Sequence, residues 1–430
     1  MTRAIRRSVL PGFSFLAALA VMSVGGCGTP AKSSSADKAP PVLKCAFWPA
    51  PPDEPRIQFL GAFNSSDDVA PVVSSEFEKL VFGKEAVRTA YVNKPYGVGI
   101  RNGKIYVCDI RAKALVVMDL AKKQTRLVGV TGATRLERPI AVALADDGEI
   151  YVADGVHGAV LVFDKGERFS RSLAFPKLKP GSIALSGERL YISDLGRQQV
   201  LIVNRRTGKE IGTIGQTGDE NGQFRLPVGV ATDQAGNVYV ADMMRCNVQK
   251  FTPDGGFIAS VGQMGDHAGG FARPKHLAVD REGIVYVVDS SFQNVQMFNS
   301  EFQLLMHFGS AGDFPGAMNL PVGIAVTDES LEYFQGLIHP GFAATRLIVV
   351  ANQFGSALVS VYALGERRPS VTLAELRATS AEVQTGVGAP SAEALKFQNI
   401  GGIEPPPEDA GAEGEPLEPA PESPAQPPKR

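Results

Sequence analysis

In this chain of 430 residues one acidic residue recurs where chemistry would gather. Asp109, Asp154, Asp194, Asp242 and Asp289 each close a short apolar run such as Tyr-Val-Ala-Asp, and Asn352 holds the sixth place. Converging carboxylates are the donor set of a hard cation. The repetition argues against that use, because a site breaks symmetry. The same Asp after every run is placed by the run, where its carboxylate accepts backbone N–H groups of the next loop. Departures from the pattern carry more information. Two residues past a recurrent proline stand Gly97, Ala141, Ser182, Gly229, His276 and Gly323, so His276 is the exception, with Lys275 beside it. Tyr96 is the bulky residue one place past its own proline. Tyr96, Lys275 and His276 are the candidates for an axial site, His276 being able to ligate a metal or to donate a proton. Three residues past each recurrent Asp stand Ala112, His157, Arg197, Arg245, Phe292 and Gly355. His157, Arg197, Arg245 and Phe292 form a candidate rim for an anionic or aromatic ligand.

No second histidine or carboxylate matches the position of His276, and His157, His267, His307 and His339 lack ligand spacing. No catalytic residue and no cofactor is therefore expected, with calcium or zinc at His276 as the alternative. No Cys-x-x-Cys-His occurs, which excludes a covalent c-type haem. Cys108 on a strand is expected to be buried, and a Cys45–Cys246 bridge stays open in an oxidising compartment. A formal net charge of −2 argues against nucleic acid as a partner.

The elements that position these residues follow from a repeat. Pro95, Pro139, Pro180, Pro227, Pro274 and Pro321 open six segments spaced by 44, 41, 47, 47 and 47 residues. In LPVGVATDQAGNVYVAD (226–242) and RPKHLAVDREGIVYVVD (273–289) an apolar strand, a turn and a second strand ending in Asp are plain. Gly218-Asp219, Gly265-Asp266 and Gly312-Asp313 stand at a fixed distance ahead of the last three prolines. In the fourth repeat the strands are expected at 229–232, 237–241, 247–251 and 257–261, with turn residues at each reversal. Six four-stranded antiparallel meanders make an all-β, six-bladed β-propeller. The sixth repeat lacks a fourth strand, whereas Arg56–Phe63 is a strand with no repeat of its own. That strand is expected to complete the last blade and close the ring, which removes the exposed edges.

The Pro-x-Gly start, the Tyr-Val-Ala-Asp run and the Asn-Val-Gln-x-Phe that follows (Asn247–Phe251, Asn294–Phe298) resemble the NHL-repeat family of six-bladed β-propellers over residues 56–365. The chain is also similar to bacterial lipoprotein members of that family. The motifs are specific for fold and unspecific for activity. The lack of a catalytic constellation, together with an expected membrane tether, leads to the expectation of a protein-, peptide- or glycan-binding scaffold. Propellers with related repeats that act as lyases or lactonases through an axial metal imply an enzyme alternative. Such lipoproteins also occur beside multihaem cytochromes, which implies a third reading, an accessory subunit of a cell-envelope redox complex.

The ends give an address. Arg3, Arg6 and Arg7 precede an apolar run too short to span a bilayer comfortably, and the run ends in Val24-Gly25-Gly26-Cys27. This resembles a lipobox, so 1–26 is expected to be a signal peptide and Cys27 to be lipidated. Gly28, where an Asp would retain a lipoprotein in the inner membrane, points to the outer membrane of the cell envelope. Residues 27–55 read as a Pro- and Ser-rich tether, with Trp48–Pro52 either clamped on the domain or docking a partner. Ser74–Phe82 is expected to form a short helix on the same rim as the candidate set. Glu329–Thr345 is an apolar insertion on the opposite rim, read as packing on its own blade or as a partner contact. In the segment 366–430, a short helix is expected near Val371–Gln384. From Glu404 onward nine prolines and seven acids mark a disordered tail.

Overall fold

The computed structural model describes residues 45–69, 91–132 and 135–379. Cys27, the expected signal peptide, the expected helix at 74–82 and the acidic tail lie outside them. Among the described residues no helix is long and apolar enough to cross a membrane.

Each repeat forms one antiparallel sheet of four strands, here lettered a to d outward from the axis, and the sixth sheet carries a fifth strand. In the fourth blade these are Pro227–Thr232, Val238–Asp242, Asn247–Phe251 and Phe257–Val261, close to the expected bounds. Strand b is buried along its whole length, because neighbouring blades cover both its faces. That is why it reads as an unbroken apolar run rather than an alternation. In the first blade Tyr106 and Cys108 pack against Ile150 and Leu161 of the second. Ile105 and Val107, one residue out of phase, pack with Leu347 and Val349 of the sixth. Strand d lies outside and is mostly exposed.

The six a strands begin at the recurrent prolines, each touches the next, and the sixth touches the first. The repeat is exact enough to fix backbone angles: Gly218, Gly265 and Gly312 have φ of 153°, 152° and 152°. That region is costly for a residue with a Cβ, so glycine recurs there.

The ring closes as the strand count requires. Ile57–Ala62 pairs antiparallel with Val359–Arg367, strand c of the sixth blade, and so serves as its strand d. A further strand, Phe47–Trp48, pairs outside it, so the propeller reaches upstream of Arg56 to Cys45. Trp48 is clamped on the ring: its indole lies 6.4 Å from the ring of Phe308 in the fifth blade and 5.9 Å from that of Tyr362 in the sixth. Gly316, at φ 84°, makes room for it, since a Cβ there would run into the indole. Gln58 in the closing strand is fully buried. It donates to Leu337 O and accepts from His339 N, both at 3.0 Å, and so ties the strand to the sixth-blade insertion.

That insertion packs on its own ring. Phe334 and Phe342 are buried, Phe334 against Phe63 and Phe342 against Phe47, while Tyr333 stays exposed. A partner contact through the apolar side chains of this loop is therefore not available for Phe334 and Phe342. After strand c of the last blade, Leu373–Thr379 is helical and buries Leu376 in the same core.

Candidate functional site

The recurrent Asp residues are architectural. Asp242 is fully buried and accepts four backbone N–H groups. Arg225 and Leu226 ahead of strand a donate at 2.6 and 3.0 Å, and Met244 and Arg245 in the b–c turn both at 3.1 Å. Asp109, Asp154 and Asp289 repeat this four-fold clamp. Burial alone would raise the Asp154 pKa, yet the N–H groups of His157, Arg138, Glu137 and Val156 hold it below the ordinary value. Carboxylates so engaged have no lone pairs directed at a shared cation.

The four candidate rim residues are tied individually to their own blades. His157 Nδ1 lies 3.2 Å from Asp154. Arg197 donates to Pro176 O at 2.8 Å. Arg245 donates to the carbonyls of Asp219, Glu220 and Gln223, at 2.5, 3.0 and 2.7 Å. Phe292 is half-buried, and its N–H is held by Asp289. The guanidinium groups brace the loop that enters each blade. The same rim instead exposes apolar side chains: Val156 and Met244 in b–c turns and Met264 in a d–a loop are 65%, 63% and 75% accessible.

On the axis the structure brings together two of the three candidates. Tyr96 of the first blade and His276 of the fifth meet edge to face, ring centroids 5.6 Å apart. His276 is buried and its pKa falls to about 4. Loss of solvent is the main cause and the nearby Lys275 charge the second, and a hydrogen bond with the Gly181 backbone only partly offsets them. His276 is therefore neutral at physiological pH and packed rather than presented. Lys275 acts on it through its charge. Among the described residues no three His, Cys, Asp or Glu side chains are grouped to hold a metal ion.

Cys108 and Cys246 are buried thiols, and Cys45 sits beside Gln58 in the seam, so the Cys45–Cys246 bridge is not formed. Burial raises the pKa of all three.

The sequence did not flag the opposite end of the axis. There the a strands of blades one, two, five and six end around a well of about 230 Å³. Ile100, Leu144, Val279 and Val326 line it among seven charged side chains. Its wall holds a buried ion pair, Arg346 to Asp280 at 2.6 Å, with Arg346 also 2.9 Å from Glu282. Two further pairs stand at its mouth, Arg101–Asp146 at 2.8 Å and Arg281–Asp328 at 2.5 Å. In sequence these residues look like ordinary solvated turns, and no spacing signal marks them.

No family model matches the chain. Among solved structures, a streptogramin B lyase is similar at 11% identity, with 64% of this chain and 95% of that chain covered and a TM-score of 0.45. A structural-genomics protein of unknown function from Bacteroides thetaiotaomicron is similar at 18% identity over 65% of this chain and 71% of that one, with a TM-score of 0.48. Virginiamycin B lyase from Staphylococcus aureus matches at 11% identity over 64% and 96%, with a TM-score of 0.44.

Proposed function

We propose that this chain is a lipid-anchored, extracytoplasmic propeller of the NHL type. In this reading it is held at the outer membrane through Cys27 and binds an envelope protein on the rim of the b–c turns, without catalysing a reaction. One observation carries the reading. Arg197 and Arg245 are spent on backbone carbonyls and His157 lies against the Asp154 carboxylate, whereas Val156, Met244 and Met264 are left more than 60% exposed. Exposed methionines adapt their shape to a partner surface, and Met244 and Met264 supply two of them on this rim.

The binding reading is favoured over the axial-metal enzyme because His276 is packed edge to face on Tyr96 and, among the described residues, has no group of His, Cys, Asp or Glu side chains around it. Mass spectrometry of the N-terminal peptide tests the anchor: a diacylglyceryl adduct on Cys27 supports it, and an unmodified mature terminus at another residue contradicts it. Metal analysis of the full chain tests the alternative. Stoichiometric calcium or zinc that disappears in His276→Ala would overturn the binding reading in favour of the enzyme.

A further inference from the structure

The rim of the b–c turns is not evenly charged. The residue ahead of each recurrent proline occupies one fixed station on it, and in the first three blades this residue is Lys94, Arg138 and Lys179. Their N–H groups donate to the clamping Asp109, Asp154 and Asp194 at 3.1, 3.0 and 3.2 Å. Their carbonyls accept from Ile110, Gly155 and Leu195 in the b–c turns at 3.1, 2.9 and 2.9 Å. Both sides of each backbone are therefore held, and each cation starts from a rigid base. The stems of Arg138 and Lys179 lie along those turns: a Cβ on Gly155 would meet Arg138 Cδ at 3.6 Å, and one on Gly196 would meet Lys179 Cδ at 3.3 Å. Lys94 stands 5.5 Å over the Phe354 ring. Arg111 and Lys177 add two exposed cations on the same three blades. Among the described residues none of these five has an ion-pair partner, and Glu137 between them is already held by Lys113 at 2.7 Å and Arg135 at 2.5 Å. From the fourth blade on, the station reads Leu226, Arg273 and Leu320, and the entry loops bring Asp219, Asp266 and Asp313 instead. Unpaired like charges on one side of the ring break its symmetry, and what breaks the symmetry is not required by the blade.

From this arrangement we infer that the basic arc over blades one to three is the docking surface of the chain's own acidic segment, residues 404–422. That segment carries seven acids and no Lys or Arg. Its charge is complementary to the arc, and its length allows the contact. Glu404 stands 25 positions after Thr379, where the described chain ends. At about 3.3 Å per residue an extended linker of that length reaches on the order of 80 Å. Strand c of the sixth blade, which leads to the linker, has nine residues and so spans only about 30 Å. One exposed ion pair contributes little, and a small anion would be lost from so open a surface. Several carboxylates on one tethered segment act together, because the tether supplies a high local concentration. The prolines of the segment also limit the freedom it loses on docking. Met244 and Met264 belong to blades four and five and stay uncovered, so the inference goes beyond the partner reading and does not rest on it.

Carbodiimide coupling of the full chain tests it, because the reagent joins a carboxylate to a lysine amine in contact with it. Mass spectrometry is expected to find amides from acids of 404–422 to Lys94, Lys177 or Lys179, and not to the exposed Lys165 on the opposite rim. They should fall at least fivefold in 1 M salt, where the Debye length is about 3 Å. Arg111→Gln combined with Arg138→Gln, both at exposed positions, keeps the three reporter lysines. It should also lower the amides at least fivefold while the thermal transition stays in place. In a mixture of isotope-labelled and unlabelled chains the amides should lie within one chain. A fluorescent peptide of residues 404–422 should bind a chain with Asp409→Asn and Gln at the six Glu positions of the segment at least tenfold more tightly than the native chain, whose own segment occupies the arc. The inference is overturned by absence of amides to the rim lysines, by equal coupling to Lys165, or by amides formed only between labelled and unlabelled chains. Equal affinity of the peptide for the two chains overturns it as well. Amides within the chain with no partner crosslinked at Met244 would leave this inference standing without the partner reading; a partner crosslink with no such amides would do the reverse.

Discussion

Trp48→Ala tests the closure of the ring. The indole is 6% exposed and fills the seam between the fifth and sixth blades, edge-on to Tyr362 and tilted on Phe308. Truncation leaves a cavity lined by those rings, and a buried Trp→Ala costs about 3–5 kcal/mol. At about 2–4 °C per kcal/mol for large domains, the midpoint should fall by roughly 6–20 °C. Trp48 is the only tryptophan, so its fluorescence in the unmodified chain reports the seam directly, while far-ultraviolet circular dichroism reports all six blades. The two signals should change together, because the blades that grip Trp48 are links of one closed ring. Gly316→Ala supplies an internal check. Its Cβ would collide with the indole, so it should be costly in the native chain. In Trp48→Ala the positive φ, at about 1–2 kcal/mol, and a close approach of 3.2 Å to Phe59 Cβ remain. The double mutant should therefore be more stable than the sum of the single effects by about 1 kcal/mol or more. A Trp48→Ala midpoint within a degree of the native chain would refute the reasoning. So would a tryptophan transition well below that of the blades.

Three further outcomes follow from named contacts. Gln58→Leu leaves Leu337 O and His339 N without their buried partner and should cost about 1–3 kcal/mol, with faster amide exchange over residues 331–342 by mass spectrometry; unchanged protection there would contradict it. His276 has a pKa lowered to about 4 in the folded chain, below the ordinary value near 6.5, so the unfolded chain binds the extra proton first. Stability from this group is present above about pH 6.5 and lost as pH falls towards 4, by about 3 kcal/mol in all. His276→Phe should flatten that part of the pH–stability curve, and an unaltered curve would show that the imidazole is solvated. Arg346→Met leaves Asp280 buried beside Tyr286 without its cation and should destabilise by about 3–5 kcal/mol, read as a denaturation midpoint. A change below 1 kcal/mol would mean that Asp280 is hydrated.

Much of this fold was legible because the repeat acts on geometry one residue at a time. The spacing of 47 between Pro227, Pro274 and Pro321 reappears as a common φ at Gly218, Gly265 and Gly312. The surplus strand at Arg56–Phe63 and the missing one after residue 363 could only be reconciled by a shared sheet, and the register bears that out. The recurrent Asp residues were readable for the same reason: a residue repeated by every blade belongs to the blade. What escaped was non-local. Phe47–Trp48 is a two-residue strand in a proline-rich stretch, too short for any periodicity, and its partners lie far along the chain at Phe308 and Tyr362. Packing of the Glu329–Thr345 insertion was readable as one of two alternatives, but not its partners, because Phe63 and Phe47, which cover Phe334 and Phe342, come from the other end of the sequence. Tyr96 and His276 were singled out separately, but their contact depends on side chains reaching across the axis from blades that are not neighbours. The well was invisible because Arg101, Asp146, Arg281 and Asp328 sit in turns where charge is ordinary, and only ring closure brings the four together.

The central claim is that an anchored propeller engages a protein through the rim that carries Val156, Met244 and Met264. Photo-crosslinking in intact cells tests it most directly, with a photoreactive residue placed at Met244 or Met264 and, as a control, at Lys165 on the opposite rim. A single crosslinked envelope protein of defined mass from both rim positions, and none from Lys165, is the expected result. No crosslink from the rim, or the same products from all three positions, would contradict it.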